Sequence, residues 1–557
     1  MEKEYIGNTL GMRCALLQIN STVGDIAGNL ERIVDAFQAA TRNGAQLCVT
    51  PELALVGYPP RDLLLYQAFV EEAECAVLTL TQRTAASDCA LVVGTVGRNA
   101  NGVGKPVHNQ AVFIHRGIVM ARYAKRLLPT YDVFDEARYF EPGNAPRVIA
   151  CGGLRVALTV CEDIWNDSAF RTWPAYSLEP LAGHPPFDLL VNLSASPFTV
   201  GKQRLREEML TALVRKYGVH ALYVNSVGGN DDLIFDGRSM HVSRDGAVLS
   251  RAPGFMEDVL CVDIAAPGSS LAEDDFTPES EMWRALVLGV RDYCAKTGQS
   301  RVLLGLSGGI DSALTAAIAC EAMGPENVHC VLLPSPYSSE DSLVDAKTLA
   351  RNLSMRVTTL PIEPVMRACD AVLAQTFAGR APDVTEENLQ ARIRGCLLMA
   401  IANKFGKLLL TTGNKSEISV GYCTIYGDMC GALAVIGDVY KTEVFRLCRW
   451  LNTRGRACIP ENILLKPPSA ELRPNQTDQD SLPPYDELDA ILRCLLEERL
   501  CTDAVVAAGH ARKVVARVAL LVRAAEFKRR QAAPVLKITR QAFGIGWRIP
   551  IASRHIL

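Results

Sequence analysis

Short apolar runs alternate with amphipathic stretches along most of this 557-residue chain. Residues 1–11 are polar and carry no pattern, and order begins with the strand-like run Met12–Gln18. Further strands are expected at Gln46–Val49, Ala90–Val96, Ala111–His115, Leu154–Val160, Leu189–Leu193 and Ala221–Ser226. Helices are expected at Asn29–Arg42 and Gln203–Tyr217. Alternation of this kind predicts a layered α/β domain. From Ala265 to Glu281 the pattern gives way to small, polar and acidic residues, the composition of a linker. A second α/β series follows, with strands at Arg301–Leu306, Val328–Leu333, Met355–Leu360 and Lys407–Thr412 and a helix at Ala313–Met323. Residues 464–487, rich in Pro, Asn, Gln and Asp, read as a long loop with no role that their chemistry assigns. The tail from Tyr485 reads as helical through Arg530. The expected organisation is therefore a domain over 12–265, a linker over 266–281 and a second domain over 282–557.

Composition narrows the function classes. A chain this long predicts several domains, at roughly 100 to 200 residues each. Hydrophobic residues make up 49% of it, ample for sizeable cores, and the net charge of −3 argues against a nucleic-acid partner. No apolar run is long enough to span a membrane, and the charged start Met1-Glu2-Lys3-Glu4 lacks the apolar core of a secretory signal. The 18 cysteines are scattered, with no Cys-x-x-Cys, and the closest pairs, Cys423/Cys430 and Cys494/Cys501, are seven apart. That spacing suits reduced thiols in the cytoplasm better than a disulfide framework or a zinc ribbon.

The chemistry of the second half centres on Leu303–Ser312, reading Leu-Leu-Gly-Leu-Ser-Gly-Gly-Ile-Asp-Ser. A buried strand that turns tightly into a helix N-terminus aims free backbone N–H groups and the positive end of the dipole at one point, which makes an anion site. Glycines let phosphate approach the backbone and serine hydroxyls add donors. Asp311 makes sense there if a magnesium ion rides on the phosphates. No Gly-Lys-Ser/Thr follows, so this is not a Walker loop. The string resembles the pyrophosphate loop of the ATP pyrophosphatases, which cleave ATP to AMP and pyrophosphate by adenylating a substrate. The resemblance implies ATP contacts from Gly305, Leu306, Ser307, Gly308, Gly309, Ile310, Asp311 and Ser312.

Three strings in the first half fall at strand ends: Thr50-Pro51-Glu52-Leu53, Ala124-Lys125-Arg126-Leu127-Leu128-Pro129 and Thr159-Val160-Cys161-Glu162-Asp163-Ile164-Trp165. In that order, and with Gly57–Asp62, Tyr131–Glu136 and Asn192–Phe198 beside them, they resemble the nitrilase (carbon–nitrogen hydrolase) superfamily. Amide hydrolysis needs a nucleophile, a proton carrier and a group to hold the oxyanion. The resemblance implies Cys161 as nucleophile, a thiolate whose pKa the Lys125 cation lowers. It implies Glu52 as general base, Lys125 as oxyanion support and Glu136 as the second glutamate, which positions the lysine. It also implies that Tyr131, Ser196 and Lys202 bind the glutamine substrate.

Beyond the phosphate loop come Leu410–Glu417, Gly421–Asp428, Gly437–Val444 and Glu526–Gln531, and in that order they resemble the NAD synthetases. The resemblance implies Thr412 on the adenosine side, contacts to deamido-NAD from Asn388, Glu417 and Lys528, and magnesium at Asp311 and Glu417. Lys415 and Lys441 would lie near the leaving pyrophosphate. The two halves together resemble glutamine-dependent NAD synthetases, with L-glutamine, deamido-NAD and ATP as substrates. The implied fold is a nitrilase-type αββα sandwich followed by a Rossmann-like ATP-pyrophosphatase (adenine nucleotide alpha hydrolase-like) domain. A homo-oligomer is implied by the resemblance as well, and an internal ammonia channel is implied because ammonia released into neutral water becomes ammonium.

Overall fold

A computed structural model describes residues 11–171, 175–265, 270–455 and 457–555. The first compact unit extends to Phe276, with Asp231–Leu233 grouped with the second unit instead. Its strands, in chain order, are β1 (Arg13–Gln18), β2 (Leu47–Val49), β3 (Ala90–Arg98), β4 (Val107–His115), β5 (Ile118–Ala124), β6 (Val148–Cys151), β7 (Leu154–Val160), β8 (Leu189–Ser194), β9 (His220–Asn225), β10 (Val227–Asn230), β11 (Leu233–Asp236), β12 (Met240–Val242), β13 (Val248–Arg251), β14 (Asp258–Asp263) and β15 (Ser270–Leu271). They form a six-stranded sheet in the order β14-β1-β2-β3-β4-β5 and a seven-stranded sheet in the order β15-β13-β12-β9-β8-β7-β6, while β10 pairs with β11.

The central strands carry apolar residues on both faces, and the two sheets share one core. Leu16, Val49, Val92 and Phe113 from the first sheet pack with Leu158, Val191 and Val224 from the second. Each such side chain contributes about 1.5–3 kcal/mol by leaving water. Helix α1 (Ile26–Arg42) buries Ile26, Leu30, Ile33, Val34 and Phe37, the spacing of one helical face, and its N-cap Asp25 accepts from the Gly28 amide at 3.0 Å. With α2 (Gln67–Arg83) it lies on the first sheet, and α3 (Lys202–Tyr217) packs on β9 and β12 of the second. The layers are thus α, β, β, α. Strands β1, β2 and β3 run parallel, as do β7, β8 and β9.

Two readings of this region need correction. The pattern missed β5, β6 and the short strands β10 to β15, because these are half-exposed or only two to six residues long. The expected linker is also not featureless. Residues 266–269 lie outside the described residues, but β15 pairs with β13, and Asp274 binds the buried Arg238 at 2.7 Å. A fully buried arginine needs such a counter-charge, which is why the acidic string is held.

The second unit contains α4 (Pro278–Lys296), β16 (Val302–Gly305), α5 (Ile310–Met323), β17 (Val328–Leu332), α6 (Glu340–Asn352), β18 (Arg356–Thr359), α7 (Glu363–Leu373), α8 (Val384–Phe405), β19 (Leu408–Thr411), α9 (Lys415–Val420), β20 (Leu433–Ala434) and α10 (Lys441–Thr453). The sheet is parallel, in the order β18-β17-β16-β19-β20. Its strand order reverses between β16 and β19, and ligands of such sheets bind at the carboxyl ends of the strands at this switch point. The helical tail is broken rather than continuous: Tyr485–Leu492, a π turn at Arg493–Glu497, Thr502–Ala507, Arg512–Ala524 and Glu526–Arg529. Arg499 and Gly509, at φ +55° and +108°, make the breaks, and the pieces fold back on a core of Leu488, Ile491, Val515 and Val518.

Candidate active sites

Glu52, Lys125 and Cys161 each stand just past the end of a strand, β2, β5 and β7 respectively, and all three are buried. The Lys125 ammonium touches Glu52 Oε1 at 2.7 Å and both oxygens of Glu136 at 2.8 Å. Asn109 Nδ2 donates to Glu52 Oε1 at 2.7 Å and the Ala195 amide to Oε2 at 3.0 Å, so the carboxylate is fixed from three directions. The Tyr58 hydroxyl donates to Glu136 at 2.8 Å. At Gly94 a Cβ would come within 2.2 Å of the Pro51 carbonyl, so glycine lets β3 approach the Glu52 loop. Cys161 has φ +41°, a left-handed conformation for a non-glycine residue, and opens a tight turn at the end of β7.

Burial lowers the Lys125 pKa, but Glu136 and Glu52 outweigh it and favour the charged ammonium, with a pKa well above the usual value. Burial raises Glu136 to about 7 even against Lys125. Cys161 departs from expectation. Burial, then Glu52, push its thiol well above the ordinary value, and Lys125 only partly offsets them. Burial thus favours the protonated form of the Cys161 thiol, against the lowering that Lys125 supplies.

Beside the triad, Glu162 is buried and accepts from the Tyr131 hydroxyl at 2.9 Å and from Tyr176 at 3.3 Å. Ser196 is locked by Arg206, which donates to its carbonyl at 2.8 Å and is itself neutralised by Asp236 at 2.8 Å. Lys202 donates to the Pro197 carbonyl at 2.9 Å and lies 5.9 Å from the Trp165 ring centre. Sequence reasoning missed Asn109 and Glu162. The signals were a polar triplet, His108-Asn109-Gln110, leading into the apolar run of β4, and an acid directly after the cysteine.

In the second unit a cavity of about 330 Å³ opens at the switch point. Gly305, Leu306, Ser307, Gly309, Ile310, Asp311, Ser312, Thr412 and Glu417 all line it. The loop is pre-formed: Gly309 N donates to Ser307 Oγ at 3.2 Å, and Ser312 Oγ donates to the Gly309 carbonyl at 3.0 Å. Gly308 turns with φ +83°, and a Cβ there would lie 2.1 Å from the Ser342 carbonyl. Lys441 bridges Asp311 at 2.5 Å and Glu417 at 3.2 Å, while Asn414 Nδ2 donates to the other Asp311 oxygen at 2.9 Å. Burial raises the Glu417 carboxyl to about 8, against the pull of Lys441.

Other expected residues are placed differently. Lys415 is fully buried with Asp438 at 3.0 Å and Thr539 at 2.7 Å and is not among the cavity-lining residues. Asn388 and Lys528 are not among the cavity-lining residues; Asn388 accepts from Thr424 at 2.8 Å, and Lys528 donates to the Gly421 and Cys423 carbonyls at 2.7 Å. Both hold the segment 421–424, from which Tyr422 and Cys423 reach the cavity. The loop of unassigned role supplies Lys466, Glu471 and Asp478 to the lining.

A carbon-nitrogen hydrolase model matches residues 13–271, and an NAD synthase model matches residues 282–532. A glutamine-dependent NAD(+) synthetase of Synechocystis sp. is 51% identical over 549 residues, covering 97% of this chain and 98% of that protein. One from Thermotoga maritima is 44% identical over 580 residues, covering 98% and 99%. The solved structure of the Acinetobacter baumannii glutamine-dependent NAD+ synthetase in complex with ADP superposes with a TM-score of 0.77 at 37% identity, covering 97% of this chain and 98% of that one.

Proposed function

The chain belongs to the glutamine-dependent NAD synthetases, and on that footing we propose how its side chains divide the chemistry. The enzyme hydrolyses L-glutamine to glutamate and ammonia, adenylates the nicotinate carboxylate of deamido-NAD with ATP, and amidates it to give NAD and AMP. In the first unit Cys161 attacks the glutamine amide while Glu52 takes its proton and passes it to the departing ammonia. Lys125 offers positive charge to the tetrahedral oxyanion, a contribution of about 3 kcal/mol from one donor, and Glu136 holds that lysine in place. Tyr131, Ser196 and Lys202 bind the glutamine backbone groups, with Glu162 beside them. A buried thiol whose pKa is raised by burial and by Glu52 supports this order of events, because the charge on sulfur need exist only as the new bond forms.

In the second unit Ser307, Gly308, Gly309, Asp311 and Ser312 take the ATP phosphates, and Thr412 the adenosine side. Lys441, Lys466 and Arg394 are the cavity cations that offset the developing charge on pyrophosphate. Asp311 and Glu417 converge on one ammonium, so two carboxylates already face a common point, and with phosphate oxygens they make a donor set that suits Mg2+. The ion would neutralise phosphate charge when bound. Asn388, Glu417 and Lys528 serve deamido-NAD, the first and last by shaping the 421–424 segment. No helix among the described residues is long and apolar enough to cross a membrane. Eighteen unpaired cysteines support a cytoplasmic setting. The homo-oligomer rests on the family resemblance, and light scattering tests it.

The observation that carries the glutaminase assignment is the buried Lys125 ammonium clamped between Glu52 and Glu136 beside Cys161. Cys161→Ala should abolish NAD synthesis from glutamine and leave synthesis from ammonium salts largely intact. Equal loss with both nitrogen donors would defeat the division of labour.

A further inference from the structure

Asp163 is fully buried two residues past Cys161, and no step described above uses it. Its carboxylate accepts from four donors. Tyr123 OH and Val160 N reach Oδ2 at 2.8 and 2.9 Å; Arg126 N and Leu127 N reach Oδ1 at 3.0 and 2.9 Å. Tyr123, Arg126 and Leu127 bracket Lys125, and Val160 immediately precedes Cys161. The two sides need such a link. Lys125 follows β5 of the six-stranded sheet and Cys161 follows β7 of the seven-stranded one, so no strand ladder sets one residue against the other. An aspartate that served only to fill space would cost more than an apolar side chain of the same size.

We propose that Asp163 is a positioning residue for glutamine hydrolysis: it clamps the two segments that carry Lys125 and Cys161 and so fixes the ammonium relative to the sulfur. The proposal deepens the triad assignment and rests on it. An asparagine at this place keeps the size but presents an NH2 group to donors, so two of the four bonds are lost whichever way the amide turns. The segments then drift apart, and a misplacement near 1 Å can cost about 100-fold in rate.

The test compares glutamine hydrolysis and ammonium-supported NAD synthesis in Asp163→Asn, Tyr123→Phe, Arg126→Met and Cys161→Ala. For Asp163→Asn, kcat for glutamine should fall by about 100-fold with KM changed less than about threefold, while ammonium-supported synthesis is retained. Tyr123→Phe removes one donor and should lower kcat by about tenfold with KM again little changed. Arg126→Met should match the parent, because only its backbone N–H meets Asp163, while its side chain donates to the Pro180 carbonyl. Parental kcat in Asp163→Asn, or a rise in KM that accounts for the whole loss, overturns the proposal. Should Asp163→Asn fail to fold, Tyr123→Phe decides alone, and parental kcat there overturns it. Residual glutamine hydrolysis in Cys161→Ala would instead mark failure of the triad assignment itself.

Discussion

At the scale of single residues, identity was legible and state was not. Glu52, Lys125 and Cys161 stand at strand ends in sequence order, and the fold brings them together. The ionisation of Cys161 depends on Glu52 and Glu136, which arrive from more than twenty residues away, and on burial, which no short string displays. With burial pushing its thiol pKa up, alkylation of Cys161 by a small neutral reagent should climb steadily from about pH 7 to 9 without a plateau, and stay slower than at exposed Cys75, Cys396 and Cys501. Mass spectrometry of each cysteine reads this directly, and an early plateau at Cys161 would restore the thiolate. Glu136 carries a second pH signal. Its folded pKa, about 7, stands above the ordinary 4.5, so the folded state holds the extra proton between those values. Its stabilising contribution is therefore full below that window and is lost as pH rises through it. Glu136→Gln should remove this fall, so the parent-minus-variant difference in unfolding midpoint should shrink or turn negative from pH 5 to 7. A flat difference would show that Glu136 titrates as an ordinary carboxyl.

At the scale of elements, strands with two buried faces were readable and the edges were not. Leu154–Val160 is apolar enough to be recognised from its own residues and is found with those bounds. β5 presents Ile118, Met120 and Arg122 to solvent, so its pattern reflects its place at a sheet edge, and only pairing with β4 makes it a strand. The loop 464–487 shows the same limit. Its placement depends on Glu471, whose carboxylate accepts from Ser339 Oγ at 2.8 Å and Ser342 Oγ at 2.7 Å at the start of α6, contacts more than a hundred residues apart in sequence. The turn at Ser307–Ser312 was legible because one residue type answers one steric demand. Gly308→Ala should meet both a left-handed φ, costing about 1–2 kcal/mol, and the Ser342 carbonyl. NAD synthesis should drop by about tenfold or more with glutamine and with ammonium alike, while glutamine hydrolysis continues. Parental synthesis by this variant would mean that the loop does not carry the phosphates.

At the scale of the whole molecule, two α/β units each place their candidate site at the carboxyl ends of strands, and each should be silenced without the other. The first unit should lose function through Cys161. The second should lose it through Asp311. That carboxylate meets Lys441 and Asn414, and its charge helps raise Glu417. Asp311→Asn keeps the shape and removes the charge, so Lys441 loses its nearer partner and turns toward Glu417, 3.2 Å away. The phosphates would then lack one of the two acids proposed to hold their counter-ion, and adenylation should fall with either nitrogen donor. Glutamine hydrolysis should survive, since none of its residues belongs to this unit. Residual turnover should still yield AMP and pyrophosphate in equal amounts, because the bond that breaks is set by attack of the nicotinate carboxylate at the α-phosphorus. Chromatography of the nucleotides and a pyrophosphate assay measure both quantities. The appearance of ADP and phosphate would show that attack falls at the γ-phosphorus and that the loop at Ser307–Ser312 has been assigned the wrong end of ATP.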